Sequence, residues 1–140
     1  MLGMTDRISP EARSTLMSRI RGKDTKPELV VRRMLHAMGY RFRLHRRDLP
    51  GTPDIVLPGR RKVIFVHGCF WHGHEGCRFA TKSATRPDFW AAKISANQAR
   101  DRRSVGRLRR LGWSVGIVWE CGIRHPDRLA ARLHRFLNSG

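Results

Sequence analysis

The stretch RKVIFVHGCFWHGHEGC, residues 61–77, decides the fold of this chain. Residues 63–66 form an apolar run that ends before Gly68, a pattern typical of a strand buried on both faces. Residues 67–77 hold two cysteines, three histidines, a phenylalanine and a tryptophan. Few plain loops need this mixture. We therefore predict a central strand that runs into a loop with a metal-binding, catalytic or contact role.

Turn residues and apolar spacing on both sides predict the remaining elements. Thr25 and Glu28 form a capping box for a helix that ends at Met38, before Gly39. Further elements follow the same rules: strands at 40–44, 54–57, 62–66 and 113–119, and helices at 9–20, 88–111 and 126–137. The five residues expected to face inward on the helix after Thr25 are Leu29, Val30, Met34, Leu35 and Met38. The order predicts a single α/β domain, residues 1–140, with a central mixed sheet flanked by helices on both faces.

The charge points to a polyanionic partner. The chain has 29 Lys and Arg against 11 Asp and Glu, a net charge of +18. Cationic side chains release counterions from phosphates, which favours nucleic acid over a merely soluble basic protein. No apolar run is long enough to span a bilayer, and the N-terminus lacks a secretion signal. We expect a cytoplasmic protein whose three cysteines are reduced or bind a metal.

The N-terminal arm, residues 1–22, has two interpretations. Met17 and Ile20 share a small apolar face on the first predicted helix, among arginines. That face either packs on the core or lies on DNA, with one side chain wedged between bases.

An acid and a histidine are expected to meet at one sheet edge. Asp54 starts the first strand of a hairpin-like antiparallel pair, and His67 lies at the end of the second, so the two are expected side by side. Asp54 is a candidate Mg²⁺ ligand, although an aspartate after a proline often only caps a turn. His67, with His72 as a second acid or base, is a candidate for activating water. Glu28 is either a helper that holds a metal-bound water or a plain capping residue.

The three cysteines and one histidine form a candidate structural zinc site. Cys69, His74, Cys77 and Cys121 supply the ligands of a Cys₃His centre, which would tie down a loop too long for a plain connection. The alternative is unrelated buried thiols, and His72 competes with His74 as the nitrogen ligand.

Four segments together resemble a known family. They are LPGTPDIVLP, VIFVHGCFWHGH, the helix ATRPDFW with its later RDRR, and the strand ending WEC. In this order, over residues 13–121, they are similar to the Vsr-type very-short-patch-repair endonucleases, relatives of the PD-(D/E)XK nucleases. The resemblance implies a restriction-endonuclease-like fold. It also implies a Mg²⁺-dependent enzyme that nicks duplex DNA 5′ of the T in T·G mismatches left by 5-methylcytosine deamination.

The resemblance also implies roles for individual residues. The catalytic set falls on Asp54, His67, His72 and Glu28, and the structural zinc ligands fall on Cys69, His74, Cys77 and Cys121. The DNA contacts fall on Met17, Ile20, Phe70, Trp71, Trp90, Lys93 and Asn97. Mismatch-repair proteins are implied partners, and a monomer is expected because one nick needs one active site.

Three departures from the family pattern matter. Val66 stands where one well-characterised member has a threonine beside the metal, so only its backbone carbonyl can bind Mg²⁺. The spacing from His72 to Cys77 is one residue longer, which leaves the zinc nitrogen open between His72 and His74. No acid-x-Lys follows Asp54, a departure that the Vsr family shares. Two other readings remain: a zinc-stabilised, non-catalytic DNA-binding module, and a related nuclease with another DNA substrate.

Overall fold

A computed structural model describes residues 25–77 and 86–139 of the chain. Within these ranges the first helix, α1, is Lys26–Ala37, and the strands are β1 Arg43–Leu44, β2 Ile55–Leu57, β3 Lys62–His67 and β4 Ser114–Trp119. The long helix α2 is Pro87–Arg110, and α3 is Pro126–Asn138. Short 3-10 helices occupy Pro58–Arg60 and Glu120–Arg124. The first predicted helix, with Met17 and Ile20, lies outside the described residues.

The four strands form one mixed sheet in the order β1-β2-β3-β4. β1 and β2, and β2 and β3, pair antiparallel, whereas β3 and β4 pair parallel from Lys62 opposite Ser114 to His67 opposite Trp119. The predicted mixed sheet and the interior place of β3 are confirmed. The parallel pair requires a crossover, and α2 provides it.

Two apolar cores cover the two faces of the sheet. On one face Ile55 and Ile64 pack with residues of α1 and α3, including Leu35 and Leu133. On the other face the buried side chains are Leu49, Val56, Val63, Phe65, Leu108 and Trp113, and Leu108 comes from α2. Because side chains alternate along a strand, residues 63, 65 and 67 of β3 point toward α2 and residues 64 and 66 toward α1. The strand therefore has no solvent-facing side along most of its length.

Two sequence predictions on the N-terminal side are wrong in detail. The strand predicted at residues 40–44 is only Arg43–Leu44, because the chain leaves α1 at Gly39 and reaches the sheet edge late. On α1 the buried residues are Glu28, Val31 and Leu35, and Leu29 is 37% exposed. The helix is thus rotated so that a carboxylate, rather than Leu29, faces inward.

The other boundaries agree within a residue or two. Thr25 caps α1 as predicted, its side chain accepting from the Glu28 amide at 3.4 Å. Helix α2 begins at Pro87 with Arg86 as N-cap, so Asp88 lies in the first turn instead of capping it. Among the described helices none is both long and apolar enough to cross a membrane.

Candidate active site and metal centre

Glu28 and Asp54 form a buried acid pair beside the end of β3. Glu28 is 2% exposed, and Asp54 is largely buried and shares a hydrogen bond with it. The Asp54 carboxylate also accepts from the Val66 amide at 2.7 Å, which fixes it against β3. Burial first, then the neighbouring Glu28 charge, raises the pKa of Asp54 to about 8, against the opposing Val66 hydrogen bond. Two buried carboxylates this close are stabilised by a proton or a cation between them.

Two basic side chains contact Glu28. Arg32 donates to its Oε2 at 3.0 Å from one turn along α1, and His45 Nε2 lies 3.2 Å from the same oxygen. Sequence reasoning placed His45 in a plain polar loop. Its backbone has φ 48°, in the left-handed region, and its amide donates to the Asp54 carbonyl at 3.2 Å. No periodic pattern marks such a turn, so only the unusual His before two arginines hinted at it.

A histidine pair lies on the α2 side of the same strand end. His67 and His72 stack face to face, with ring centroids 3.8 Å apart and planes 2° apart. His72 Nδ1 lies 2.6 Å from Asp101 Oδ2 on α2, so the carboxylate fixes the ring and its tautomer. Sequence reasoning missed Asp101, which sits among the arginines of a helix read as a basic surface. Its spacing to Asn97 and Gln98, which also meet this loop, was the available clue.

The surroundings of His67 favour the neutral form of its imidazole. Burial first, and then the neighbouring His72, lowers the pKa of His67 to about 4. Its Nδ1 is buried and has no hydrogen-bond partner among the described residues. A cavity of about 470 Å³ opens here, lined by both histidines, Asp101 and Trp119. A buried polar nitrogen without a partner is costly, so it fits a site completed by water or substrate.

The acid pair and the histidine pair share one edge of the sheet. Asp54 bonds to the amide of Val66, and His67 is the next residue. The acids reach this point from α1 and the start of β2, and the histidines from β3 and the following loop. The expected convergence thus takes the form of two adjacent groups, Glu28–His45–Asp54 and His67–His72–Asp101. Their roles in catalysis stay predictions.

The four predicted zinc ligands come together. One atom each of Cys69, His74, Cys77 and Cys121 lies within 4.8 Å of the others. Cys121 Sγ is 3.5 Å from His74 Nδ1, and the Cys121 amide donates to Cys69 Sγ at 3.4 Å. The geometry favours His74 as the nitrogen ligand, because His74 lies with the thiols whereas His72 contacts Asp101. A Cys₃His set this compact fits a structural zinc ion.

Burial of the thiols agrees with that fit. Cys69 is fully buried, and burial, as the largest cause, raises the pKa of its thiol to about 12. Without a cation the Cys69 thiol stays protonated, whereas zinc binds cysteines as thiolates. Gly73, at φ 60°, packs so tightly on Ile94 and Gln98 of α2 that a Cβ would clash. The loop is therefore shaped around the helix and the sulfur cluster.

Aromatic rings form a cluster beside the Cys₃His group. Phe70, Trp71 and Trp90 contact one another edge to face, with centroids 5.0 to 5.5 Å apart. Asn97 Nδ2 donates to the Trp71 carbonyl at 2.9 Å, so this side chain supports the loop. Lys93 is exposed one turn earlier on α2. The DNA contacts predicted for these five residues stay predictions.

The chain is similar in sequence to known DNA endonucleases. The family described as DNA mismatch endonuclease Vsr matches residues 5–78. A Xanthomonas oryzae pv. oryzae protein named type II nicking enzyme V.XorIIP is 56% identical over 96% of this chain and 98% of its own length. The Escherichia coli K12 protein named DNA mismatch endonuclease Vsr is 44% identical over 90% of this chain and 80% of its own.

A solved structure agrees on the fold. The catalytic domain of the homing endonuclease I-Bth0305I superposes with a TM-score of 0.59, covering 83% of this chain and all of that domain at 18% identity. At this sequence identity the similarity supports a shared fold and nothing further. The family match and the two relatives carry the assignment: this chain belongs to the Vsr family of DNA mismatch endonucleases.

Proposed function

We propose that this chain nicks one strand of duplex DNA on the 5′ side of the T in a T·G mismatch, using Mg²⁺. The observation that carries the proposal is the pairing of a buried carboxylate group with a carboxylate-oriented histidine pair at one strand end. The relatives are named as a mismatch endonuclease and as nicking enzymes, which supports strand cutting. T·G mismatches from 5-methylcytosine deamination are the substrate that the family resemblance implies.

The acid group fits a hard divalent cation. Asp54 would bind Mg²⁺ directly, Glu28 would bind it or one of its waters, and the Val66 carbonyl would add a neutral oxygen. Carboxylate, carbonyl and water oxygens are the ligands that Mg²⁺ prefers. When bound, the ion would neutralise phosphate charge and acidify a coordinated water.

The histidines would then move protons. His67 is neutral at pH 7 and can accept a proton from the attacking water. His72, held by Asp101 at 2.6 Å, can orient that water or supply a proton to the leaving oxygen. The stacked rings leave little freedom for either group, which keeps both at a fixed distance from the phosphate.

The aromatic cluster would enter the base stack. Phe70, Trp71 and Trp90 sit on a loop and a helix joined by side-chain hydrogen bonds, so they form a stiff wedge. Unstacking costs least where pairing is already weak, which favours a mismatch over paired DNA. Zinc in the Cys₃His group would hold this wedge beside the reactive groups.

Basic residues would grip the backbone. The net charge of +18 and the exposed Lys93 and arginines of α2 suit phosphate contacts on both sides of the wedge. The N-terminal arm, with Met17 and Ile20, is proposed as a second contact. One active site suffices for one nick, so we expect a monomer that works in the bacterial cytoplasm, with mismatch-repair proteins as further partners.

A related nuclease with a different DNA substrate is the second candidate. The relatives named only as nicking enzymes favour it, because their names give no mismatch. A non-catalytic DNA-binding module would use the aromatic and zinc groups, but it has no need for a buried Glu28–Asp54 pair.

A nicking assay separates these candidates. Wild-type protein with Mg²⁺ would be incubated with end-labelled duplexes that carry T·G or T·A at one position within randomised flanks. We expect one nick, 5′ of the mismatched T, and little cutting of T·A. Equal cutting of both duplexes would favour the second candidate, and no cutting in any context would refute the proposal. Metal analysis should find about one zinc per chain.

A further inference from the structure

Glu28, His45 and Asp54 form a candidate cation site that includes a nitrogen donor as well as carboxylate oxygens. One atom from each residue lies within 4.8 Å of the other two. His45 Nε2 is 3.2 Å from Glu28 Oε2, and neighbouring ligands on an octahedral ion with 2.0–2.1 Å bonds are separated by about 3 Å. The spacing of the imidazole and the carboxylate thus matches that of two ligands on one cation.

The backbone holds His45 in this place. Residue 45 adopts φ 48°, in the left-handed region, which histidine enters more readily than most side chains other than glycine. The His45 amide donates to the Asp54 carbonyl, which ties the turn to the start of β2. The imidazole is 17% exposed and points at Glu28, which is 3% exposed. A simple surface turn does not need an imidazole buried against a carboxylate in this way.

The set also has room for a cation beside its present contacts. Arg32 donates to Glu28 Oε2, but a carboxylate offers about four acceptor positions, so Glu28 can keep Arg32 and still bind an ion. Asp54 is anchored by the Val66 amide through Oδ2. Two buried carboxylates repel one another without a positive charge between them.

We propose that His45 is a direct nitrogen ligand of the cation at Glu28 and Asp54, and that it makes this site bind Mn²⁺ more tightly than Mg²⁺. Imidazole is a poor ligand for Mg²⁺ but a good one for first-row transition ions, and carboxylates suit both. The inference deepens the proposed nuclease site, on which it rests, by adding a residue that selects the metal.

Metal binding to the full, zinc-loaded chain without DNA tests this directly. Free Mn²⁺ would be followed by the electron paramagnetic resonance of its aqua ion, with Mg²⁺ as competitor. Electron spin-echo modulation of bound Mn²⁺ would show whether a ¹⁴N nucleus is coordinated. Mn²⁺ is a better probe than Co²⁺ or Ni²⁺ because the thiolates of the zinc site prefer softer ions. Mn²⁺ therefore competes least for that second site.

The informative variant is His45→Asn, since asparagine tolerates the left-handed turn. His45→Gln keeps a side chain of similar length. The control is His125→Gln, which changes an exposed histidine outside all three ligand groups. We expect wild type and His125→Gln to bind Mn²⁺ at least about tenfold more tightly than Mg²⁺, with ¹⁴N coupling. Both His45 variants should lose the coupling and about tenfold of Mn²⁺ affinity, with Mg²⁺ affinity changed less than about threefold.

Two results would overturn the inference. If ¹⁴N coupling persists in both His45 variants, another nitrogen binds the ion. If Mn²⁺ and Mg²⁺ affinities fall equally, His45 acts only by holding Glu28. Zinc content and thermal melting of each variant show that it is folded. Nicking of T·G duplex with Mg²⁺ is measured separately. Loss of nicking in wild type would count against the proposed function, whereas unchanged ¹⁴N coupling in the His45 variants would count against this ligand assignment alone.

Discussion

The two halves of residues 61–77 are held in place by different forces. β3, Lys62–His67, is buried on both faces by apolar side chains and pairs with strands on both edges. The loop at 68–77 is held by sulfur and imidazole contacts, by Gln98 and Asn97 side chains that donate to its carbonyls, and by tight packing at Gly73. The strand is secured by core packing, and the loop by polar groups, among them a Cys₃His set that fits a metal ion.

This contrast assigns the tasks of the site. The residues proposed for the chemistry are fixed by the strand. His67 belongs to β3, and the Val66 amide of β3 anchors the Asp54 carboxylate. The aromatic residues proposed to contact DNA, Phe70 and Trp71, belong to the loop. His72 belongs to the loop but stacks on His67 of the strand. Trp119 contacts both parts: its ring centroid is 5.2 Å from that of His67 and 4.0 Å from that of His74, on which it stacks. Loss of the metal should therefore disturb the loop far more than the strand.

Removing a zinc ligand should give the largest effect. Cys121→Ala opens the Cys₃His group, so we expect the chain to lose its zinc and the loop its shape. Nicking of T·G duplex should fall about 10³-fold, because both His72 and the aromatic wedge are displaced. Metal analysis and single-turnover nicking measure the two effects.

Ser114→Ala, at the exposed start of β4, the strand that leads to Cys121, is the control and should keep both zinc and activity. Far-UV circular dichroism of Cys121→Ala should retain the sheet and helix signal. A variant that unfolds completely would contradict the separation of strand and loop.

Asp101→Asn should have the next largest effect. It removes the charge that orients His72 and leaves the strand, zinc and wedge in place. We expect the single-turnover nicking rate to fall about 10²-fold with DNA affinity unchanged. Asp88→Asn, an exposed change on the same helix, should lie within about twofold of wild type. Weakened DNA binding with an unchanged rate would show that Asp101 acts outside the chemistry.

The buried acid pair predicts an unusual pH dependence of stability. The native state raises the pKa of Asp54 from 3.8 to about 8, so between about pH 4 and pH 8 it holds a proton that the unfolded chain releases. The contribution of Asp54 to the free energy of unfolding should therefore fall as pH rises through this window, most visibly above about pH 6.5, because below that the lowered pKa of His67 acts in the opposite direction. Asp54→Asn mimics the protonated form, and without added Mg²⁺ it should be more stable than wild type at pH 8.5 by about 1–2 kcal/mol.

Denaturant unfolding of the zinc-loaded proteins at pH 5 and pH 8.5 measures this difference. At pH 5 the gap between the two curves should be smaller than at pH 8.5, and added Mg²⁺ should reduce the gap at pH 8.5. A wild type that is the more stable at pH 8.5 would show that the carboxylates are compensated without a cation.

A small core change on β3 should have the smallest effect. Ile64→Val removes one buried methylene on the α1 side of the strand, at a cost of about 0.5–1.5 kcal/mol in unfolding free energy. Zinc content and nicking rate should not change, because no contact of the loop involves this methylene. Zinc loss in this variant would mean that strand and loop are a single unit.

Most of the fold followed from the sequence because its signals are local and repetitive. The apolar run of β3, the capping box at Thr25 and the turn before Lys62 each obey rules of spacing, and the structure agrees with them. The Cys₃His group was predictable because few residue types can serve as its ligands. Its choice between His72 and His74 required geometry, since both lie on the same short loop.

The missed features are those where function overrides the pattern. The inward face of α1 was predicted only in part. Of the five residues predicted to face inward, Leu35 is buried and Met34 and Met38 pack on the core, but Glu28 and Val31 are the other buried positions. His45 gains its position from a left-handed turn. Asp101 is one acid among arginines, and its partner His72 is 29 residues away along the chain. Such contacts depend on tertiary placement, which periodicity does not encode.

The most direct test of the account is the single-turnover nicking of T·G duplex by Asp54→Asn with Mg²⁺. Asp127→Asn, the same change at an exposed acid of α3, is the control. We predict that Asp54→Asn keeps its zinc and its DNA affinity but nicks about 10³-fold more slowly, whereas the control matches wild type. Nicking by Asp54→Asn within about threefold of wild type would contradict an active site at this strand end.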